Sequence, residues 1–276
     1  IIFRPLGYIV AKLFYYTPAT PNFLTGISLI LGIAGGILYC FPGWNFLLFG
    51  TLAVLVSNIF DCADGQLARI KKNGTKFGRV FDGTIDYGTY TAIYLGIAVH
   101  LSTTPQSKYF LPFHFESWFW WVLLILTGFF TAIQSLLVDS SRNDFATYTS
   151  GSNKDFIEKE LAKFQSEYDE IKIKKGFIRH KFLYKIYLSY LKVQLKTASS
   201  SVEGVNAKIY YKKNKLLMRL WTFAGSTSHL VFLMICALFD RFDIYVWSIL
   251  VIFNAYTIIL WVIQKLVNLK RKKCKE

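Results

Sequence analysis

Six apolar runs, at about 23–41, 44–60, 81–101, 118–138, 218–239 and 244–267, constrain this chain more than any other feature. Runs near 18 residues suit a helix crossing a hydrocarbon core roughly 30 Å thick. Inside hydrocarbon the backbone N–H and C=O groups must pair within their own segment, so such runs read as helices. The expectation is an all-α polytopic membrane protein with six transmembrane helices. Hydrophobic residues make up 53% of the chain, too many for an ordinary aqueous domain.

Short connections punctuate the runs. Pro42-Gly43 is a turn, and Thr20-Pro21 opens a helix, with proline suited to the first turn. Residues 1–16 are apolar and aromatic with Arg4 and Lys12, too short to span, and read as an N-terminal interfacial helix. The chain then divides into 1–138 (interfacial helix and spans one to four), 139–216 (a cytoplasmic helical insertion between spans four and five) and 217–276 (spans five and six with a basic tail). In the insertion, Ile157, Leu161, Phe164, Tyr168 and Ile171 recur at helical spacing, and a second, basic helix is expected at 177–196.

The net charge of +15 admits nucleic acid or membrane as partner. The lysines and arginines sit in loops beside apolar spans, so nucleic acid is set aside. With six spans, Arg4, Lys12, the 69–79 loop, the insertion and the tail share one side, and the opposite loops hold few cations. The positive-inside rule makes that side cytoplasmic, in a bacterial inner membrane or an ER-type membrane. Cys40, Cys62, Cys236 and Cys274 form no CxxC pair.

Against this background stand four aspartates. Asp61 and Asp64 close span two, three residues apart; Asp82 and Asp86 open span three, four apart, so each pair shares a helix face. The loop between them is short enough to bring the pairs together. Four ionised carboxylates in a poorly hydrated site need protons or cations. Hard oxygen ligands suit Mg²⁺, Mn²⁺ or Ca²⁺, and two divalent ions would neutralise four charges and clamp a pyrophosphate. Gly65 and Gly78 leave clearance for a backbone or a ligand, Ala68 is small, and Arg69 is a fixed cation one turn from the cluster.

Asp61, Asp64, Gly65, Ala68, Arg69, Gly78, Asp82 and Asp86 match every position and spacing of D-x2-D-G-x2-A-R-x8-G-x3-D-x3-D. In this the chain resembles the CDP-alcohol phosphotransferase family. The resemblance implies transfer of a phosphate-linked group from a CDP-linked donor to an alcohol acceptor, with release of CMP, in polar-lipid synthesis. It implies two divalent cations, Mg²⁺ or Mn²⁺, among the four aspartates, with Asp86 as general base. It also implies that Gly65, Ala68, Arg69 and Gly78 frame the cytidine and diphosphate. Family members are often homodimers.

Donor and acceptor are less legible. "FDGTID" (81–86) departs from the "FDHGCD" usual in choline and ethanolamine enzymes, which favours CDP-diacylglycerol over a CDP-headgroup donor acting on diacylglycerol or ceramide. Asn22 and Thr25 begin span one, where a cytidine could rest or a helix be capped. Gln134, Arg142, Ser226 and His229 are acceptor-pocket candidates; an ordinary positive-inside arginine and helix-packing polar residues are the plainer readings. A divalent-cation transporter would also use membrane carboxylates, but nearer the midplane of several spans. A catalytically silent scaffold would not need all four aspartates.

Overall fold

The computed structural model describes residues 3–72, 76–105, 116–150 and 207–273, with isolated positions between 158 and 192. All regular structure among them is helical: α1 (Phe3–Tyr15), α2 (Pro21–Tyr39), α3 (Trp44–Ile70), α4 (Lys76–Thr103), α5 (Ser117–Ser150), α6 (Ala207–Phe223), α7 (Ser226–Leu238), α8 (Phe242–Trp247), a π-helical turn (Ser248–Phe253) and α9 (Asn254–Lys273). Among the described residues, five stretches are long and apolar enough to cross a membrane: Pro21–Tyr39, Trp44–Ile70, Ser117–Ala146, Tyr210–Leu238 and Phe242–Val267. The remaining expected span is α4. Its 28 residues give it the length, but Tyr87, Thr89, Tyr90, Thr91, Tyr94 and His100 make it more polar than the five.

Helix ends follow local chemistry. Thr20 caps α2, its Oγ1 accepting from the Phe23 amide at 3.3 Å, with Pro21 in the first turn. Gly43, at φ +125°, starts α3. This helix does not stop at the first aspartate; it carries the motif through to Ile70 and ends where Lys72 turns left-handed at φ +52°. α5 is 34 residues long, about 50 Å at about 1.5 Å per residue, so it outreaches a bilayer core. Residues 139–150 and 207–216 of the expected insertion are thus extensions of α5 and α6. The helix expected through Ile157, Leu161, Phe164, Tyr168 and Ile171 and the one expected at 177–196 lie, apart from isolated positions, outside the described residues.

The fifth expected span is interrupted. The Ala224 and Gly225 amides bond to Trp221 and Thr222 carbonyls, closing α6. The Gly225 carbonyl then accepts from Ser228 and His229, opening α7. The break falls at the start of the polar stretch 226–229, which reads from sequence as helix-packing residues within one span.

The chain forms two compact units. The first comprises 1–130 and 230–251. There Ala11 of α1 packs with Leu24 of α2 and with Ala63 and Leu67 of α3, and α1 turns Leu6, Ile9 and Leu13 outward. α2 and α3 are joined by Ser57 Oγ donating to the Ser28 carbonyl at 2.7 Å and by Tyr39 and Thr51 hydroxyls 3.2 Å apart. α2 and α4 meet backbone to backbone, where a Cβ on Gly96 would overlap the Gly36 carbonyl. One turn further along α4, His100 Nε2 lies 2.8 Å from Asp240 Oδ1 and Nδ1 lies 3.1 Å from the Tyr39 carbonyl. Asp240 takes φ +54° in the turn after α7, with the Arg241 amide bonded to Cys236 and its own amide to Ala237, a Schellman ending. The second unit, 131–229 and 252–276, is built on Val138, Leu217, Trp221, Ala224 and Leu260. Ile30, Ile37, Phe49, Ile125, Ile252 and Ile258 face outward, as lipid-exposed residues do.

Candidate active site

Three of the four motif aspartates have described side chains, and two of them touch. Asp61 on α3 is hydrogen-bonded to Asp86 on α4, so the short connection does bring the two helices together at this point. Asp64, one turn further along α3, is 4% exposed and accepts a 2.5 Å hydrogen bond from Thr25 Oγ1 on α2. The motif thus rests on three helices rather than two. Asp82 lies one turn before Asp86 on α4; its side chain, like the surroundings of Gly78, is outside the described set. Among the described residues no three His, Cys, Asp or Glu side chains converge.

Two carboxylates in hydrogen-bond contact share a proton or a cation, since like charges so close cannot both stand free. With buried Asp64 one turn away, the donor set is all oxygen and anionic. That is the chemistry of a hard divalent ion, and these residues fit one.

Gly65 does not sit at a helix crossing as its small size suggested. A Cβ there would meet nothing within 4 Å, so its face of α3 borders open space beside Asp61 and Asp64. Ala68 is half-buried and Arg69 exposed; Arg69 has no ion-pair partner among the described residues. Asn22 is exposed in the first turn of α2, and Thr25 is buried. Neither caps the helix, because Thr20 does.

The acceptor candidates all lie in the second unit. Gln134, 1% exposed, donates Nε2 to Asn254 Oδ1 at 2.7 Å. Arg142 is 3.7 Å from Asp139, and its Nη2 would stand 3.8 Å from a Cβ on Gly225. It therefore lies beside the α6–α7 break, where Ser226 begins α7. His229 is buried against Phe253, ring centroids 4.6 Å apart, and neither ring nitrogen has a well-formed hydrogen-bond partner among the described residues.

Sequence reasoning missed three contacts here. Thr25 on Asp64 was hidden because a threonine early in a helix reads as a cap. Lys71 Nζ donates to the Thr17 and Ala19 carbonyls at 2.7 and 2.9 Å, and Gln66 Nε2 to the Arg4 carbonyl at 2.9 Å. Backbone acceptors leave no trace in a sequence pattern.

Residues 18–165, more than half of the chain, match the CDP-alcohol phosphatidyltransferase model, and the chain belongs to this family. It is similar to the phosphatidylinositol phosphate synthase of Corynebacterium glutamicum, 38% identical over 104 residues, which cover 36% of this chain and 45% of the relative. The Mycobacterium tuberculosis protein of the same name is 34% identical over 90 residues, 31% of this chain and 41% of the relative. The Mycobacteroides abscessus protein of that name is 36% identical over 81 residues, 28% and 34% of the two chains. The chain spans less than half the length of these curated relatives.

Proposed function

We propose that this protein transfers the lipid phosphate of CDP-diacylglycerol to a hydroxyl of a polar, inositol-type alcohol and releases CMP. The observation that carries the reading is the Asp61–Asp86 contact beside buried Asp64, in a chain whose motif and family match agree. The relatives' names supply the inositol-bearing product.

The acceptor oxygen bonds to the phosphorus that carries the lipid, the bond from that phosphorus to the CMP oxygen breaks, and Asp86 takes the acceptor proton. Asp61, Asp64, Asp82 and Asp86 would hold two divalent ions, which stabilise charge on the leaving diphosphate oxygen. Arg69, exposed and without an ion-pair partner among the described residues, is available to a diphosphate. The open face at Gly65 gives a nucleotide room, with Ala68 and Gly78 beside it in the motif and Asn22 at the start of α2. Gln134, Arg142, Ser226 and His229 contribute to acceptor binding, Arg142 as the cation for an acceptor phosphate. The site faces the cytoplasm by the lysine and arginine bias.

The test is CMP release by purified protein given CDP-diacylglycerol with inositol or inositol phosphate and Mg²⁺ or Mn²⁺. Activity should require metal, and Asp86→Asn should abolish turnover while retaining donor binding. CMP release only from CDP-choline or CDP-ethanolamine with a lipid alcohol would move the protein to the other branch. Normal turnover in Asp86→Asn would remove the assigned base.

A further inference from the structure

We infer that Lys71 is a positioning residue of the donor site, acting through the connection between α1 and α2. The inference rests on the transferase reading above.

Lys71 ends α3, its amide bonded to the Leu67 carbonyl at 2.9 Å, just past the motif residues Ala68 and Arg69. Its ammonium reaches back across the fold to the Thr17 and Ala19 carbonyls at 2.7 and 2.9 Å. Hydrogen bonds from a charged donor are stronger than neutral ones, and a cation at the end of α1 also complements its dipole. The connection has some internal order: the Thr17 hydroxyl donates to Phe14 at 2.9 Å and accepts from the Ala19 amide at 3.3 Å. Ala19 packs against the Ala11, Leu24, Ala63 and Leu67 cluster. The next residue is Thr20, the cap of α2.

This connection leads directly into the functional end of α2. Asn22 is exposed in the first turn, and Thr25, one turn on, holds Asp64. The start of α2 is therefore attached to the motif end of α3 at two levels. The inner one is Thr25 on Asp64; the outer one is Lys71 on Thr17 and Ala19. Within the span, Ser28 and Ser57 continue the contact. Releasing the outer attachment leaves the carboxylates in place and frees the segment beside them. The consequence falls on donor binding rather than on the chemical step.

The test uses the full-length protein in lipid nanodiscs, with Lys71→Met and Lys71→Arg. Lys71→Met should raise the KM for the CDP-linked donor roughly tenfold with kcat within about twofold, since two charge-assisted bonds are lost far from the reacting atoms. Lys71→Arg, which keeps a donor fork, should restore most of the donor affinity. Amide exchange in 17–24 should quicken in Lys71→Met. An unchanged KM in Lys71→Met, with the wild type active, overturns the positioning role alone, even if the melting temperature falls. A fall in kcat at constant KM also overturns it. A wild type that releases no CMP from any CDP-linked donor overturns the transferase reading and this inference with it.

Discussion

Thr25 and Asp64 join α2 to the motif helix by a buried hydrogen bond, hydroxyl to carboxylate, 2.5 Å long. The same Thr25 oxygen lies 3.1 Å from the Pro21 carbonyl, so its position is fixed from its own helix as well. Thr25→Val keeps the shape and removes the hydroxyl. It should destabilise the protein by about 1–3 kcal/mol, the cost of stranding a buried polar group. Thr25→Ser should recover most of this. A detergent-phase thermal melt of the three proteins checks the order.

Metal should stabilise the folded protein if the aspartates bind it. A ligand at about 100 times its Kd adds about 2.7 kcal/mol to the folded state. Adding Mg²⁺ or Mn²⁺ to chelator-treated wild type should raise Tm. In Asp61→Asn/Asp86→Asn the shift should vanish. An equal shift in the double variant would place the ion elsewhere.

The glycines of α2 and α4 divide into two kinds. Gly96→Ala on α4 would drive a methyl into the Gly36 carbonyl, with only backbone to give way. A loss of about 1–3 kcal/mol or more is expected, the range for overpacking. Gly26→Ala on α2 meets nothing within 4 Å and should be neutral or up to about 1 kcal/mol stabilising through helix propensity. Unfolding of both variants side by side measures the contrast.

Asp240 occupies the left-handed position at which helices favour glycine, and its carboxylate pairs with His100. Asp240→Ala loses the pairing and keeps the backbone cost; Asp240→Gly loses the pairing and removes the cost. The glycine variant should be the more stable of the two by about 1 kcal/mol. Both should fall below wild type. Parity between glycine and wild type would mean that the His100 contact is worth only the backbone cost it offsets, and a glycine variant more stable than wild type by about 1 kcal/mol would mean that the contact contributes nothing.

How far these contacts could be read in advance depended on their range. Apolar length alone located five of the expected membrane helices among the described residues, because a bilayer leaves few other solutions. The meeting of Asp61 and Asp86 was legible because only a short loop separates their helices. His100 and Asp240 are 140 positions apart, and nothing near either one marks the other. The α6–α7 break falls at the polar stretch 225–229, whose serines, threonine and histidine read as helix-packing residues rather than as a helix end. Hydropathy cannot distinguish a bent path through the membrane from a straight one. Thr25 at the start of α2 suits a nucleotide contact or a helix cap, and the neighbouring carboxylate on α3 gives it a different task.

The approach of Gly36 to Gly96 carries a consequence for the membrane around the protein. No rotamer intervenes between the two backbones here, so at this crossing α2 and α4 have no side-chain cushion along which to slide. In a thinner or thicker bilayer the pair tilts together about this crossing. Adaptation to hydrocarbon thickness falls instead to outward residues such as Ile30, Ile37 and Leu95. The spacing between the helices that carry Thr25 and Asp86 then stays nearly constant from one bilayer to another.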